Sequence, residues 1–203
     1  MIKNIIFDCS ETLLGFHAID YLAGLTGDRD KAVKMHYSMF GAPAWHLYDN
    51  GQLPEEDVES TLLPLLPEED RELGRRYLRE WINTYDVLDG APEMLEDVRK
   101  AGMKTYLLSD FPPCFGVLWD RFEFLHHFDG RVVSYEVGYS KKDGTIFDIL
   151  LEQYGLAPAE CVFIDDIARN VAIGEEHGIP GIVFTDMPAL RRELERLGVL
   201  PAR

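Results

Sequence analysis

The sequence predicts an α/β fold, a Rossmann-like doubly wound parallel sheet with a block of helices inserted after its first strand. Three observations carry this expectation. Five short apolar runs alternate with segments of helical period, the pattern of strands joined by crossover helices. Three of those runs stop abruptly on small polar or acidic residues, as buried strands do where they deliver groups to a sheet edge. Between the first run and Leu88 lie residues 16–87, which read as helices with no strong strand pattern.

Taken in order, Ile5-Ile6-Phe7 is the first strand and ends on Asp8. Helices are expected over 17–25, 30–40, 55–63 and 68–85, with a turn at Asn50-Gly51 and a helix start at Pro54-Glu55-Glu56. A helix over 92–100 has Pro92 in its first turn and Gly102 beyond its end. The strand over 104–108 follows, then a helix over 115–124 and a strand over 131–134. Ile146, Ile149 and Leu150 share one face of a helix that Gly155 stops. A strand over 161–164, a helix over 170–177, a last strand over 181–184 and a closing helix over 189–197 complete the chain.

Four segments carry chemistry. They are Asp8-Cys9-Ser10-Glu11-Thr12 after the first strand, Ser109-Asp110 after the second, the turn Ser140-Lys141-Lys142-Asp143, and Asp165-Asp166 with Asn170 shortly after. If the three strands are parallel neighbours, all four groups meet at one edge. A carboxylate beside a divalent cation can attack phosphorus, while a hydroxyl, backbone N–H groups and an ammonium hold the phosphoryl oxygens.

These segments, in this order, resemble the four motifs of the haloacid dehalogenase-like hydrolases, from Ile5 to about Phe184. The resemblance implies a core of residues 1–15 and 88–203 with a helical cap of 16–87. It implies Asp8 as nucleophile, with Ser109, Asp110 and Lys141 at the phosphate. Mg²⁺ is then expected on Asp8, the Ser10 carbonyl, Asp165 and Asp166, and a small phosphorylated metabolite as substrate. Lys142 occupies a position where the family often has Pro, and is expected on the surface.

One departure matters. The family's phosphatases carry a second Asp two residues after the nucleophile, which protonates the leaving group and then activates water. Here that residue is Ser10, and the family's usual Gly at the next position is Glu11. Ser10 is left with hydrogen-bonding the leaving oxygen, and Glu11 and Asp110 are candidate substitutes. Two rival readings follow: a dehalogenase-like member, in which Asp8 attacks carbon, or a weakly active binding module. The acid pair Asp165-Asp166 argues against the first, and the retention of all four motifs against the second.

Composition narrows the partners. The chain has 203 residues, 46% hydrophobic and 28% charged, with a net charge of −16, which argues against nucleic acid and anionic membranes as partners. Cys9, Cys114 and Cys161 form no Cys-x-x-Cys and read as core residues of a reducing compartment. With no signal peptide or membrane-spanning run expected, the cytoplasm is the expected location. Trp45, His46, Tyr48 and Trp81 are expected to pack the helical block's own core, and His126-His127 lacks the spacing of a helical metal pair. The sequence leaves the oligomeric state open.

Overall fold

Asn4–Phe7 (β1) is buried along its whole length, because a strand sits on either side of it and side chains cover both faces. The computed structural model describes residues 1–202. β1 pairs in parallel with Lys104–Ser109 (β4) on one side and Cys161–Asp165 (β6) on the other. Gly130–Val133 (β5) joins outside β4 and Gly181–Val183 (β7) outside β6, so the parallel sheet runs β5-β4-β1-β6-β7. The strand order reverses at β1, and such a switch point opens a crevice at the C-terminal strand ends.

Alternation along the strands feeds two cores. Ile5, Phe7, Leu107 and Ile164 pack on one face with Met94, Leu95 and Val98 of Ala91–Lys100 (α6) and Leu190 and Leu194 of Met187–Arg196 (α11). Ile6, Leu108 and Phe163 pack on the other face with Ile146, Phe147 and Leu150 of Thr145–Tyr154 (α9). Ile173 of Ala168–Glu176 (α10) closes that side. Phe115–Arg121 (α7) and Ser134–Val137 (α8) flank β5 in the chain.

The helical block is Ala18–Thr26 (α1), Arg29–Phe40 (α2), Pro43–Asp49 (α3), Glu55–Leu62 (α4) and Arg71–Glu80 (α5). Rings hold it together: Phe40 stacks on Trp45 at 3.8 Å, and Trp81 meets Phe40 and Trp45 edge-on at 5.3 Å. His36 is also buried here, hydrogen-bonded to Tyr77 at 2.7 Å.

The block departs from expectation in three places. Pro43–Asp49 (α3) is a helix where none was expected. The single helix expected over 68–85 is broken into a 3₁₀ turn, α5 and a second 3₁₀ turn, Trp81–Thr84. Tyr85 then begins a strand, Tyr85–Val87 (β3), which pairs antiparallel with Leu14–Phe16 (β2). Trp81 and Tyr85 are four residues apart and both buried, a helical spacing that the chain satisfies with a tighter turn instead. The two chain passages between sheet and helical block are therefore one paired ribbon.

Candidate active site

β1 ends on Asp8, β4 on Ser109 and β6 on Asp165, and parallel pairing places all three at one edge. The Asp8 N–H continues the ladder by donating to the Ile164 carbonyl at 2.8 Å, so the carboxylate leaves a backbone still fixed by the sheet.

Beyond Asp8 the chain turns sharply. The Leu13 and Leu14 N–H groups both donate to the Cys9 carbonyl, and the Glu11 N–H donates to that of Leu14 at 2.7 Å. Glu11 carries φ 57°, the one positive value at a non-glycine among the described residues. A side chain there costs on the order of 1 kcal/mol. Glu11 offsets this by accepting the Phe16 N–H with its own carboxylate at 2.6 Å. The backbone is thus not extended here, and the Glu11 carboxylate is committed to the turn. The Ser10 hydroxyl lies 3.1 Å from the Tyr85 hydroxyl of the ribbon.

Lys141 arrives on a rigid turn. Asp143 accepts both the N–H and the hydroxyl of Ser140, at 3.0 and 2.7 Å, which fixes the Lys141–Asp143 3₁₀ turn. Gly144 follows with φ 80°, and a Cβ there would stand 2.6 Å from the His177 ring. The Lys141 N–H donates to Asp110 at 2.9 Å, tying the turn to the end of β4. Lys141 is buried and Lys142 is exposed.

The Lys141 ammonium donates to Asp8, and to Asp165 at 2.8 Å. Asp165 is saturated: it also accepts the Ile167 N–H at 2.8 Å and the Asn170 amide on both oxygens at 3.1 Å. Asp166 is half-buried, and its carboxylate is not held this way. One oxygen each from Asp8, Asp165 and Asp166 lies within 4.8 Å of the others. An all-oxygen, carboxylate-rich set of this size suits a hard divalent cation such as Mg²⁺. The Ser109 hydroxyl is buried and has no hydrogen-bond partner among the described residues, which a buried polar atom tolerates poorly.

Charge within this cluster is unbalanced. One ammonium faces two buried carboxylates, and the excess falls on Asp8. Burial, opposed by Lys141 and reinforced by Asp165, pushes the Asp8 carboxyl up to about 8. Burial pulls Lys141 the other way, but Asp8, Asp165 and Asp110 outweigh it and keep the ammonium charged well above its ordinary range. Asp166 and Asp110 are also raised, chiefly by burial. A divalent cation would supply the missing positive charge, so the donor set and its electrostatics both fit Mg²⁺.

The helical block closes over this edge. A cavity of about 120 Å³ is lined by Ser10, Tyr85, Asp110, Phe111, Trp81 and Asp49, among others. Of the aromatics expected to pack the block's core, Trp45, Tyr48 and Trp81 are buried while His46 is exposed. Trp45 and Trp81 also line this cavity. Asp49 and Tyr85 were not among the candidates from sequence. Asp49 closes a short helix that no strong periodicity marks, and Tyr85 reads as the end of a helix.

A chain that presents a strand-end aspartate, a strand-end hydroxyl, a buried lysine and an acid pair at one sheet edge defines a hydrolase class. The sequence model of the haloacid dehalogenase-like hydrolases matches residues 2–178, and the chain belongs to that family. It is 26% identical over 200 residues to the D-ribitol-5-phosphate phosphatase of Bacteroides thetaiotaomicron, covering 88% of this chain and 89% of that one. It is 23% identical over 156 residues to the flavin mononucleotide hydrolase 1 of Arabidopsis thaliana, covering 76% of this chain and 62% of the relative, less than two thirds of its length. Among solved structures, an HAD family enzyme of Bacteroides thetaiotaomicron superposes with a TM-score of 0.70 at 18% identity, covering 94% and 99% of the two chains. That structure is a complex with magnesium and inorganic phosphate. The described residues contain no helix long and apolar enough to cross a membrane.

Proposed function

We infer that this hydrolase is a Mg²⁺-dependent phosphatase of small phosphorylated metabolites, with Asp8 as the nucleophile. The observation that carries the reading is the buried Lys141 ammonium joining Asp8 and Asp165 across the C-terminal edge of β1 and β6. Asp8 attacks phosphorus in line and forms an aspartyl-phosphate. Lys141 and the Ser109 hydroxyl hold the equatorial oxygens, with backbone N–H groups near Cys9, Ser10 and Asp110. The unsatisfied Ser109 hydroxyl supports this role, since a phosphoryl oxygen would complete its hydrogen bonding.

Asp8, Asp166, Asp165 and the Ser10 carbonyl would hold Mg²⁺, and the ion would neutralise charge on the phosphoryl oxygens. The contacts that saturate Asp165 favour Asp166 as the acid with a free oxygen, and favour Asp165 as the residue that positions Lys141. Residues 16–87 act as a cap over the core of 1–15 and 88–203 and select the substrate. The names of the phosphatase relatives support a phosphate ester as substrate.

The test is turnover of an aryl phosphate with Mg²⁺ by the wild type and by Asp8→Asn. An amide cannot form the acyl-phosphate, so activity should fall roughly 10³-fold or more. An inactive wild type, or Asp8→Asn within a few fold of it, defeats the reading.

A further inference from the structure

The proposed phosphatase lacks a proton donor where its relatives in chemistry keep one, and the groups nearest that gap are already engaged. The Ser10 hydroxyl pairs with Tyr85 at 3.1 Å. The Glu11 carboxylate holds the Phe16 N–H at 2.6 Å. Asp110 accepts the Lys141 N–H at 2.9 Å. Asp49, at the end of α3, also lines the cavity, and no donor or cation among the described residues pairs with its carboxylate.

The backbone of Asp49 is anchored to the core. The Ser134 hydroxyl, fully buried at the start of α8 directly after β5, donates to the Asp49 carbonyl at 2.5 Å and accepts the Phe111 N–H at 2.9 Å. Gln52 donates to the Gly138 carbonyl at 3.2 Å. Gly51 has φ 66°, and a Cβ there would stand 2.5 Å from the Tyr135 carbonyl, so the loop after Asp49 lies directly on the core. These contacts fix the Asp49 backbone against the segment that follows β5 and, through Ser134, against the loop that follows β4, while the cavity brings the Asp49 side chain together with Ser10 and Asp110.

The geometry points to Asp49 as the acid–base residue of this active site, supplied by the helical block in place of the carboxylate missing at position 10. The inference rests on the phosphatase reading and deepens it. In the first step Asp8 forms its bond to phosphorus, the P–O bond to the leaving group breaks, and the Asp49 carboxyl gives its proton to the departing oxygen. In the second step the Asp49 carboxylate takes a proton from water as that water bonds to phosphorus. The bond from phosphorus to Asp8 breaks, releasing phosphate and restoring both carboxyl groups. The surroundings suit the role. Trp45, Trp81, Phe40 and Phe111 line the cavity, and no cationic side chain among the described residues does. Burial, with Asp110 adding to it, pushes the Asp49 carboxyl up to about 8, so it enters the first step protonated at neutral pH.

The experiment compares propyl phosphate with p-nitrophenyl phosphate, both with Mg²⁺, in the wild type, Asp49→Asn and Asp49→Ala. Propoxide needs a proton to leave and nitrophenolate does not. Asp49→Asn should lose about 10²-fold or more in kcat/KM on propyl phosphate and less than 10-fold on the aryl ester. Because the second step also needs Asp49, the variant should release a burst of nitrophenolate and accumulate phosphate on Asp8, visible as a mass adduct after acid quench. Added formate should restore turnover to Asp49→Ala. Equal losses on both substrates with no adduct, or no loss at all, overturn the assignment while leaving the phosphatase reading intact. A wild type that hydrolyses neither ester defeats both.

Discussion

Replacing Lys141 with Met tests the charge arrangement independently of turnover. The substitution keeps an unbranched side chain but removes the only cation among the described residues in contact with Asp8 and Asp165, whose side chains are 7% and 0% exposed. Deleting one partner of a buried ion pair typically costs about 3–5 kcal/mol, because the charge left behind is uncompensated. Without the ammonium nothing cationic opposes the burial of Asp8, so its folded pKa rises further above the unfolded value of about 3.9 and above its wild-type position at about 8. Below pH 8 Asp8 is protonated in both folded proteins; above it the variant keeps a proton that the wild type releases, so the variant's stability falls more steeply as pH rises. The deficit of Lys141→Met should therefore be larger at pH 9 than at pH 6. Mg²⁺ should reduce it at pH 9 by replacing the lost positive charge. Urea unfolding followed by the fluorescence of Trp45, Trp81 and Trp119 at both pH values, with and without Mg²⁺, measures this. A deficit under about 1 kcal/mol at pH 9, or the same deficit at both pH values, would refute the buried-charge account.

Two further outcomes follow from the site. Calorimetric Mg²⁺ binding should be lost in Asp166→Asn, whereas Asp165→Asn should weaken binding and also release Lys141; equal binding by the wild type and the double variant would remove the metal site. Ser10→Asp should speed alkyl phosphate hydrolysis in an Asp49→Asn background, where the donor is missing, by more than it does in the wild type, and steady-state rates on propyl phosphate in the four variants decide this.

The centre of the sheet was legible because β1, β4 and β6 are buried on both faces and carry apolar runs, and because Asp8, Ser109 and Asp165 mark where they stop. Lys141 was legible through the resemblance of its segment to the third family motif, whereas the capping contacts of Asp143 that hold its turn are seen only in the structure. The β2–β3 ribbon was not legible: three-residue strands are too short to show a period of two. Asp49 was hidden for a different reason. Its position depends on Ser134, which lies 85 residues further along the chain, and no local pattern reports that contact. Glu11 shows a third case. Its neighbours suggest an extended strand end, and only the positive φ reveals that its side chain turns back to Phe16.

The ribbon also makes the helical block replaceable. Phe16 and Tyr85 are direct cross-strand partners, so the chain leaves for the block and returns from it at adjacent points. Cα atoms of such partners lie about 4.5–5.5 Å apart, a gap that a tight hairpin turn can close. To the five-stranded sheet, the 68 residues from His17 to Thr84 are therefore equivalent to a hairpin loop of any length. Their size and sequence can drift, be exchanged or be redesigned without altering a strand connection or the register that brings Asp8 beside Asp165. The same hinge that isolates the sheet from such changes carries Tyr85 to Ser10, so a grafted block would need to preserve that ribbon and to set a carboxyl where Asp49 stands in order to complete the site.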